Sequence, residues 1–310
     1  MSRIAKVKKC FDNREQISFQ NQQYINLVEH TFQKALEQDL QEGDISQVPA
    51  KLYKKETKAD IIACTRGIVA GLEEIIHILN KNDLVVNSYF NDGNKIDNHE
   101  VLLSINGKIS TILALERTIL NFLQRLCGIA TQTKKYADKI AHTDTYVIGT
   151  RKTIWGMWDK KAVQCGGGLS HRLGLFDAAM LKENHLKILK ENHGFQAIKN
   201  SIEQTIKKNN PRFVEIEVSG AREFHKIADL LANLNTSTPK VIMFDHFSPT
   251  KIKGCLAEAK DKNYYQKIFF EASGNITLDN IRDYAEAGVD VISCGALTHS
   301  VKSLDLSMLF

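Results

Sequence analysis

The spacing of apolar and polar positions changes twice along the chain. Residues 1–23 are polar and aperiodic and read as a loose N-terminal tail. From there Tyr24, Ile25, Val28, Phe32, Leu36 and Leu40 recur at helical intervals and Gly43 closes the run, which predicts a helix. Across residues 57–110 short alternating stretches (ADIIACT, GIVAG, DLVVNSYF, EVLLSING) are parted by Asn, Asp and Gly, with one helical segment, LEEIIHILN, among them. Residues 111–141 read as one or two long helices. Residues 24–142 thus make an α+β domain of ordinary size.

After residue 143 five apolar, β-rich runs each end in a polar or glycine cluster: TYVIG before TRK, RFVEIEV, KVIMFDH, KIFFEASGN and VDVISCGA; a shorter one, AAMLKENH, fits the same scheme. Amphipathic segments such as AREFHKIADLLANL and TLDNIRDYAEAG separate several of them. Buried strands alternating with helices imply parallel strands joined by crossovers, either an open sheet or a barrel. Polar clusters at nearly every strand end (Arg151–Lys152, Lys182, Glu217, Asp245, Ser273–Gly274, Gly295) favour a barrel, whose active face collects them. Residues 143–300 are too few for eight full units, so the expected form is an incomplete α/β barrel. Residues 301–310 are expected to return to the N-terminal domain.

Composition narrows the function classes. The 310 residues are 43% hydrophobic and 25% charged, enough to build a core without disulfides or a structural metal. The 41 Lys and Arg against 36 Asp and Glu leave +5, a mild excess that suits small anions and does not call for nucleic acid. Lys51, Lys54, Lys55 and Lys58 read as a solvated face. Six cysteines lie far apart, without C-x-x-C or zinc spacing, as expected of free thiols in a reducing cytoplasm. No apolar run reaches the ~18–20 residues of a membrane span. The N-terminus lacks a signal-peptide core, and Asp12 and Glu15 argue against a transit peptide.

Candidate chemistry gathers at the strand ends. If their strands are neighbours, Arg151, Lys152, His171, Arg172 and Lys182 share one mouth, and such crowding of cations implies a polyanionic substrate. Glu217 and Asp245 could hold Mg²⁺ or ribose hydroxyls, or pair with Lys152 or Lys182; Glu215, on the same strand face as Glu217, could be structural. Ser273-Gly274-Asn275 precedes a helical segment and suits a phosphate, and Gly295-Ala296 follows the next strand; barrels often use such late loops for phosphate. Gly166-Gly167-Gly168 reads either as a phosphate loop or as a tight turn.

Taken in order, EQDLQEGDIS (37–46), ALERTILNFLQRLCGIAT (114–131), TRKT (150–153), KAVQCGGGLSHRLGLFDAAMLKENH (161–185), EIEV (215–218), IMFDHFSP (242–249), EASGNITLDNIRDYAEAGVD (271–290) and SCGALTHS (293–300) resemble quinolinate phosphoribosyltransferase. The resemblance implies an N-terminal α/β sandwich, an incomplete TIM-like barrel and a cytoplasmic homodimer with shared sites. It implies that quinolinate and phosphoribosyl pyrophosphate react with Mg²⁺ to give nicotinate mononucleotide, pyrophosphate and CO₂ in NAD biosynthesis. By the same resemblance the quinolinate carboxylates meet Arg117, Arg151, His171 and Arg172, with Lys152 and Lys182 beside them, and Lys152, Lys182, Glu217 and Asp245 are the catalytic residues. Glu217 and Asp245 serve ribose and metal, and Ser273, Gly274, Asn275, Gly295 and Ala296 hold the 5′-phosphate.

The chain departs from the family pattern at several points. TRKTIWGMW carries Trp155 for a proline and Trp158 for an arginine, and the stretch to Lys161 is shortened; Ser170, His246 and Asn275 also differ from the usual residues. A paralogous phosphoribosyltransferase for another aromatic acid, or a molybdenum-transport-associated relative, stays open on these grounds. Trp155 and Trp158 are expected to form a lid or a dimer contact, and Arg117 to act in the partner subunit's site.

Overall fold

The computed structural model describes residues 1–45 and 55–310. Lys51 and Lys54 of the basic stretch fall outside them. The chain begins with helices α1 (Arg3–Phe11) and α2 (Gln22–Leu40), then strands β1 (Glu56–Ala63) and β2 (Gly67–Ile68), helix α3 (Leu72–Lys81), strands β3 (Val85–Ser88), β4 (Lys95–Ile96) and β5 (Val101–Lys108), and helix α4 (Ile109–Lys139). Next come β6 (Tyr146–Ile148), α5 (Met157–Cys165), β7 (Ala179–Leu181), α6 (Glu183–His193), α7 (Gln196–Asn209), β8 (Val214–Val218), α8 (Ala221–Ala232) and β9 (Lys240–Asp245). The chain finishes with α9 (Pro249–Asp261), β10 (Phe269–Ser273), α10 (Ile281–Glu286), β11 (Val291–Ser293), α11 (Ala296–His299) and β12 (Leu306–Leu309).

Internal contacts divide these elements into two compact units. One unites Met1–Asn13, Lys135–Lys152 and Leu169–Ala296; the other unites Arg14–Lys134, Thr153–Gly168 and Leu297–Phe310. This differs from the continuous segments expected from the sequence, which put 143–300 in the barrel. Thr153–Gly168 follows a barrel strand along the chain, but its apolar face, led by Trp158, is buried in the other unit.

The second unit is built on an antiparallel sheet in the order β12-β1-β5-β3. β1 places Ala59, Ile61 and Ala63 on its buried face, as its alternation requires. The C-terminal strand supplies the edge, with Ile61 opposite Met308. Helix α2 packs its Tyr24, Val28 and Phe32 stripe inward, and the Tyr24 hydroxyl donates to buried Glu74 of α3 at 2.7 Å. Gly166 lies so close to Ala130 of α4 that a Cβ would strike the Ala130 carbonyl, and Gly167 has φ +92°. The glycine run is therefore a close-packed turn, the plainer of its two readings.

Trp155 and Trp158 belong to this unit too. Trp158 is 0% exposed and its ring meets Phe122 at 4.6 Å; Trp155 stacks on the same ring at 3.9 Å and 15°. The lid expected of Trp158 is thus corrected: it is a core side chain. The shortened stretch puts Asp159 next to it, fully buried and bidentate to Arg125 at 2.7 and 3.0 Å. Thr153 Oγ1 donates to the same carboxylate at 2.5 Å and accepts from Gly156 N–H at 3.1 Å.

The first unit is a six-stranded parallel sheet in the order β6-β11-β10-β9-β8-β7, the layout of an incomplete TIM-like barrel. Leu169 adds one further rung, bridging Ile148 in parallel. Val241, Val291, Phe213 and Ile148 belong to one buried core of this unit. That core also contains Val7, Cys10 and Phe11 of α1, so residues 3–11 are a packed helix, not part of a loose tail. Of its five apolar residues only Val7, Cys10 and Phe11 are buried, and it is the sheet of this unit that supplies the surface they cover.

Two arginines fasten α1. Arg3 forks onto both oxygens of Asp290 at 2.6 Å and lies over the Tyr265 ring at 3.9 Å. Arg212 donates to the carbonyls of Lys9, Cys10 and Asp12, the orphan acceptors at the helix end. Asp290 is only 5% exposed, so Arg3→Ala would strand a buried carboxylate. A loss of ~3 kcal/mol in urea unfolding is expected; a change below ~0.5 kcal/mol would mean the pair contributes little.

Candidate active site

Parallel strands bring their C-terminal ends to one edge of the sheet, and the candidate residues of the first unit follow. Arg151 and Lys152 come just after β6, Lys182 just after β7, Glu217 near the end of β8, Asp245 at the end of β9, Ser273 at the end of β10 and Gly295 just after β11. Ser273 and Asp245 are directly paired in register. Arg151, Lys152 and Lys182 are exposed; Glu217 and Asp245 are half-buried. Lys182 Nζ lies 3.5 Å from Glu217 Oε2, a pairing that the sequence leaves open.

The loop after β10 owes its shape to close approach. Gly274 has φ +97°, and a Cβ there would lie 2.7 Å from the His246 ring and 2.8 Å from its backbone nitrogen. His246 itself has φ +55° and donates its N–H to the Ser273 carbonyl at 3.0 Å. Asn275 follows at φ +52° and is exposed. Helix α10 starts only at Ile281 and is six residues long. No full helix terminus therefore stands at Ser273–Asn275, contrary to the sequence expectation; what the loop offers an anion is its own backbone N–H groups.

His171 and Arg172 are drawn inward from the mouth. Arg172 is 7% exposed, and its Nη2 lies 3.2 Å from Met180 Sδ. Burial lowers its pKa, Arg151 pushes the same way, and Glu215 opposes them. His171 is 5% exposed, with Nε2 3.1 Å from Glu215 Oε2 and 3.3 Å from Glu271 Oε2. Burial alone would depress the imidazole, but Glu215 and then Glu271 outweigh it, and its pKa rises to about 9. Burial and the neighbouring Glu271 raise Glu215 to about 7, whereas His171 overcomes the effect of burial on Glu271 and holds it low.

Glu215 Oε1 and both Glu271 oxygens accept no hydrogen bond within the described residues. The ligand atoms of His171, Glu215 and Glu271 lie within 4.8 Å of one another, a donor set compatible with a divalent cation. Glu271 has no place among the sequence candidates. The signal for it was faint: a lone carboxylate opening EASGN on a strand whose interior positions are all buried.

The second unit holds Arg117, exposed on α4. It also contains a cleft of about 860 Å³ lined by Arg14, Phe19, Glu73, His77, Asp92 and Lys161 among others. None of the sequence candidates lines it. All six cysteines are free. No helix among the described residues is long and apolar enough to cross a membrane.

Known proteins share both halves of this arrangement. Residues 44–127 match the family described as quinolinate phosphoribosyl transferase, N-terminal domain, and residues 129–309 match its C-terminal domain. A quinolinate phosphoribosyltransferase [decarboxylating] 1b of Nicotiana tabacum is 37% identical, over 89% of this chain and 80% of its own length. A probable nicotinate-nucleotide pyrophosphorylase [carboxylating] of Archaeoglobus fulgidus is 32% identical, over 86% of this chain and 97% of its own. Among solved structures, the nicotinate-nucleotide pyrophosphorylase of Francisella tularensis superposes with a TM-score of 0.76 at 32% identity, covering 92% of this chain and 96% of that one. With both of its domains matched and the barrel's strand ends carrying the expected side chains, the chain belongs to the quinolinate phosphoribosyltransferase family.

Proposed function

We propose that the enzyme transfers the phosphoribosyl group of phosphoribosyl pyrophosphate to quinolinate, with loss of CO₂, to give nicotinate mononucleotide for NAD biosynthesis in the cytoplasm. The observation that carries this reading is the single edge on which Arg151 and Lys182 stand with Glu217 and Asp245, with Arg172 and His171 buried in the same unit. Two carboxylates on a small ring need several fixed cations, and a ribosyl phosphate needs acceptors for its hydroxyls and donors for its phosphate.

In this reading Arg151, Arg172, His171 and Arg117 hold the quinolinate carboxylates and so aim the ring nitrogen at C1 of the ribose. The nitrogen forms the new C–N bond as the bond to pyrophosphate breaks, and the electron pair leaves with pyrophosphate. Lys152 and Lys182 stabilise charge on the departing oxygens. Glu217 and Asp245 orient the ribose hydroxyls, while Ser273, Gly274, Asn275, Gly295 and Ala296 receive the 5′-phosphate. Oxygen donors of this kind suit Mg²⁺, which when held by Glu217 and Asp245 would neutralise pyrophosphate charge. Loss of the carboxyl group next to the ring nitrogen leaves an electron pair on carbon that the cationic ring stabilises; a proton then fills the position. The residues therefore act through placement and electrostatics.

Purified protein with phosphoribosyl pyrophosphate and Mg²⁺ should form nicotinate mononucleotide from quinolinate at least ~10³-fold more efficiently than from nicotinate, because a buried cation without its anion is costly. Turnover with another aromatic acid but not quinolinate would move the assignment to a sibling activity.

The charge on His171 sets a pH limit. With its pKa at about 9, the imidazole is cationic below that value and loses its proton above it. Quinolinate kcat/KM should therefore fall as pH rises through about 9, and His171→Gln should abolish that limb of the profile. An unchanged limb in His171→Gln would assign it to another group.

Arg117, exposed on α4, supports a shared site in a homodimer. Arg117→Ala and Lys152→Ala should each be inactive as homodimers. Their purified heterodimer should regain about half of wild-type activity, since one of its sites has both residues intact. A heterodimer as inactive as its parents would place both residues in one chain's site.

A further inference from the structure

Residues at the end of α1 and just beyond it close onto the backbone of His171. His171 has φ +55°, the left-handed region where a Cβ crowds the backbone and side chains other than glycine are uncommon. A residue stays there only where its surroundings over-determine it. Both of its backbone groups are taken by the N-terminal segment: His171 N–H donates to the Phe11 carbonyl at 3.0 Å, and Asn13 Nδ2 donates to the His171 carbonyl at 2.5 Å.

The preceding residue is gripped in the same way. Ser170 Oγ accepts from the Asn13 backbone N–H at 2.9 Å and from Asn13 Nδ2 at 3.1 Å, and the hydroxyl donates to the Phe11 carbonyl at 3.2 Å. Asn13 thereby uses its side-chain amide on two successive residues, and at 1% exposure no solvent stands in for it. The imidazole is fixed as firmly as the backbone. Phe11 stacks on it at 5.6 Å and 13°, Phe213 meets it at 5.3 Å, and Nε2 is committed to Glu215 and Glu271.

We propose that Asn13 is a positioning residue for His171, and that through it the N-terminal segment sets the affinity of the site for the carboxylate-bearing acceptor. This rests on the reading of His171 as an acceptor-binding residue. Loss of the Asn13 amide frees the strained backbone to relax and swings the imidazole off line, while the phosphoribosyl contacts at the ends of β9, β10 and β11 are untouched.

The test uses the full-length enzyme as Asn13→Ala, His171→Ala and the double variant, with KM measured separately for quinolinate and phosphoribosyl pyrophosphate. His171→Ala should raise the quinolinate KM. Asn13→Ala should raise it about 10-fold or more, with the phosphoribosyl pyrophosphate KM held within about 2-fold. The double variant should match His171→Ala alone, because Asn13 acts through that ring. If Asn13→Ala does not fold, Asn13→Ser, with a donor on a shorter arm, should show a smaller rise confined to quinolinate. An unchanged quinolinate KM in the Asn13 variant, equal rises for both substrates, or full additivity in the double variant would each overturn the proposal. A quinolinate KM unmoved by His171→Ala would overturn the role of His171 itself, and the positioning with it.

Discussion

An imidazole enclosed between two carboxylates in the interior of a parallel sheet is the interaction on which the barrel unit is organised. Taking such groups out of water is tolerable only when each charge meets an opposite one at close range. His171 does so twice, through Glu215 on β8 and Glu271 on β10, strands separated by β9 in the sheet. The arrangement ties two non-adjacent strands through one ring. It also leaves carboxylate oxygens without donors, a local excess of negative acceptor capacity that favours a cationic His171.

That cluster needs a floor, and α1 provides it. Phe11 closes one face of the imidazole, while Arg3 ties the helix to Asp290 and Arg212, just before β8, donates to the carbonyls at its end. Above the cluster the parallel strands end in the same direction, so residues far apart in sequence share an edge for a purely topological reason. Below lies the buried His171–Glu215–Glu271 cluster; at the strand ends Arg151 and Lys182 are exposed and Glu217 and Asp245 half-buried.

The second unit shows how a family loop can be rebuilt. Where the resemblance leads one to expect a proline and an arginine, Trp155 and Trp158 pack on Phe122, and Arg125 lies 5.5 Å from the Trp155 ring while it pairs with buried Asp159. Aromatic area and one bidentate pair thus hold the turn after TRKT, and Thr153 of that motif is bound into the same network.

The sequence by itself determined the strand and helix types, because both periodicities are local: β8 and β9 read as strands from VEIEV and KVIMFD, and α2 from its apolar stripe. It also placed Arg151, Lys182, Glu217, Asp245 and Ser273 at strand ends, since an end is marked by the residues that follow an apolar run. What only the tertiary structure decided are the features made by residues distant along the chain. The tail became a helix because the sheet of the first unit buries Val7, Cys10 and Phe11. Trp158 became core because Phe122 faces it, and Glu271 joined His171 because the segment before β7 and strand β10 meet in one interior. Asn13 and His171 are 158 residues apart, and no spacing rule reaches that far. Their hydrogen bond exists because burial leaves the His171 carbonyl no water to accept from.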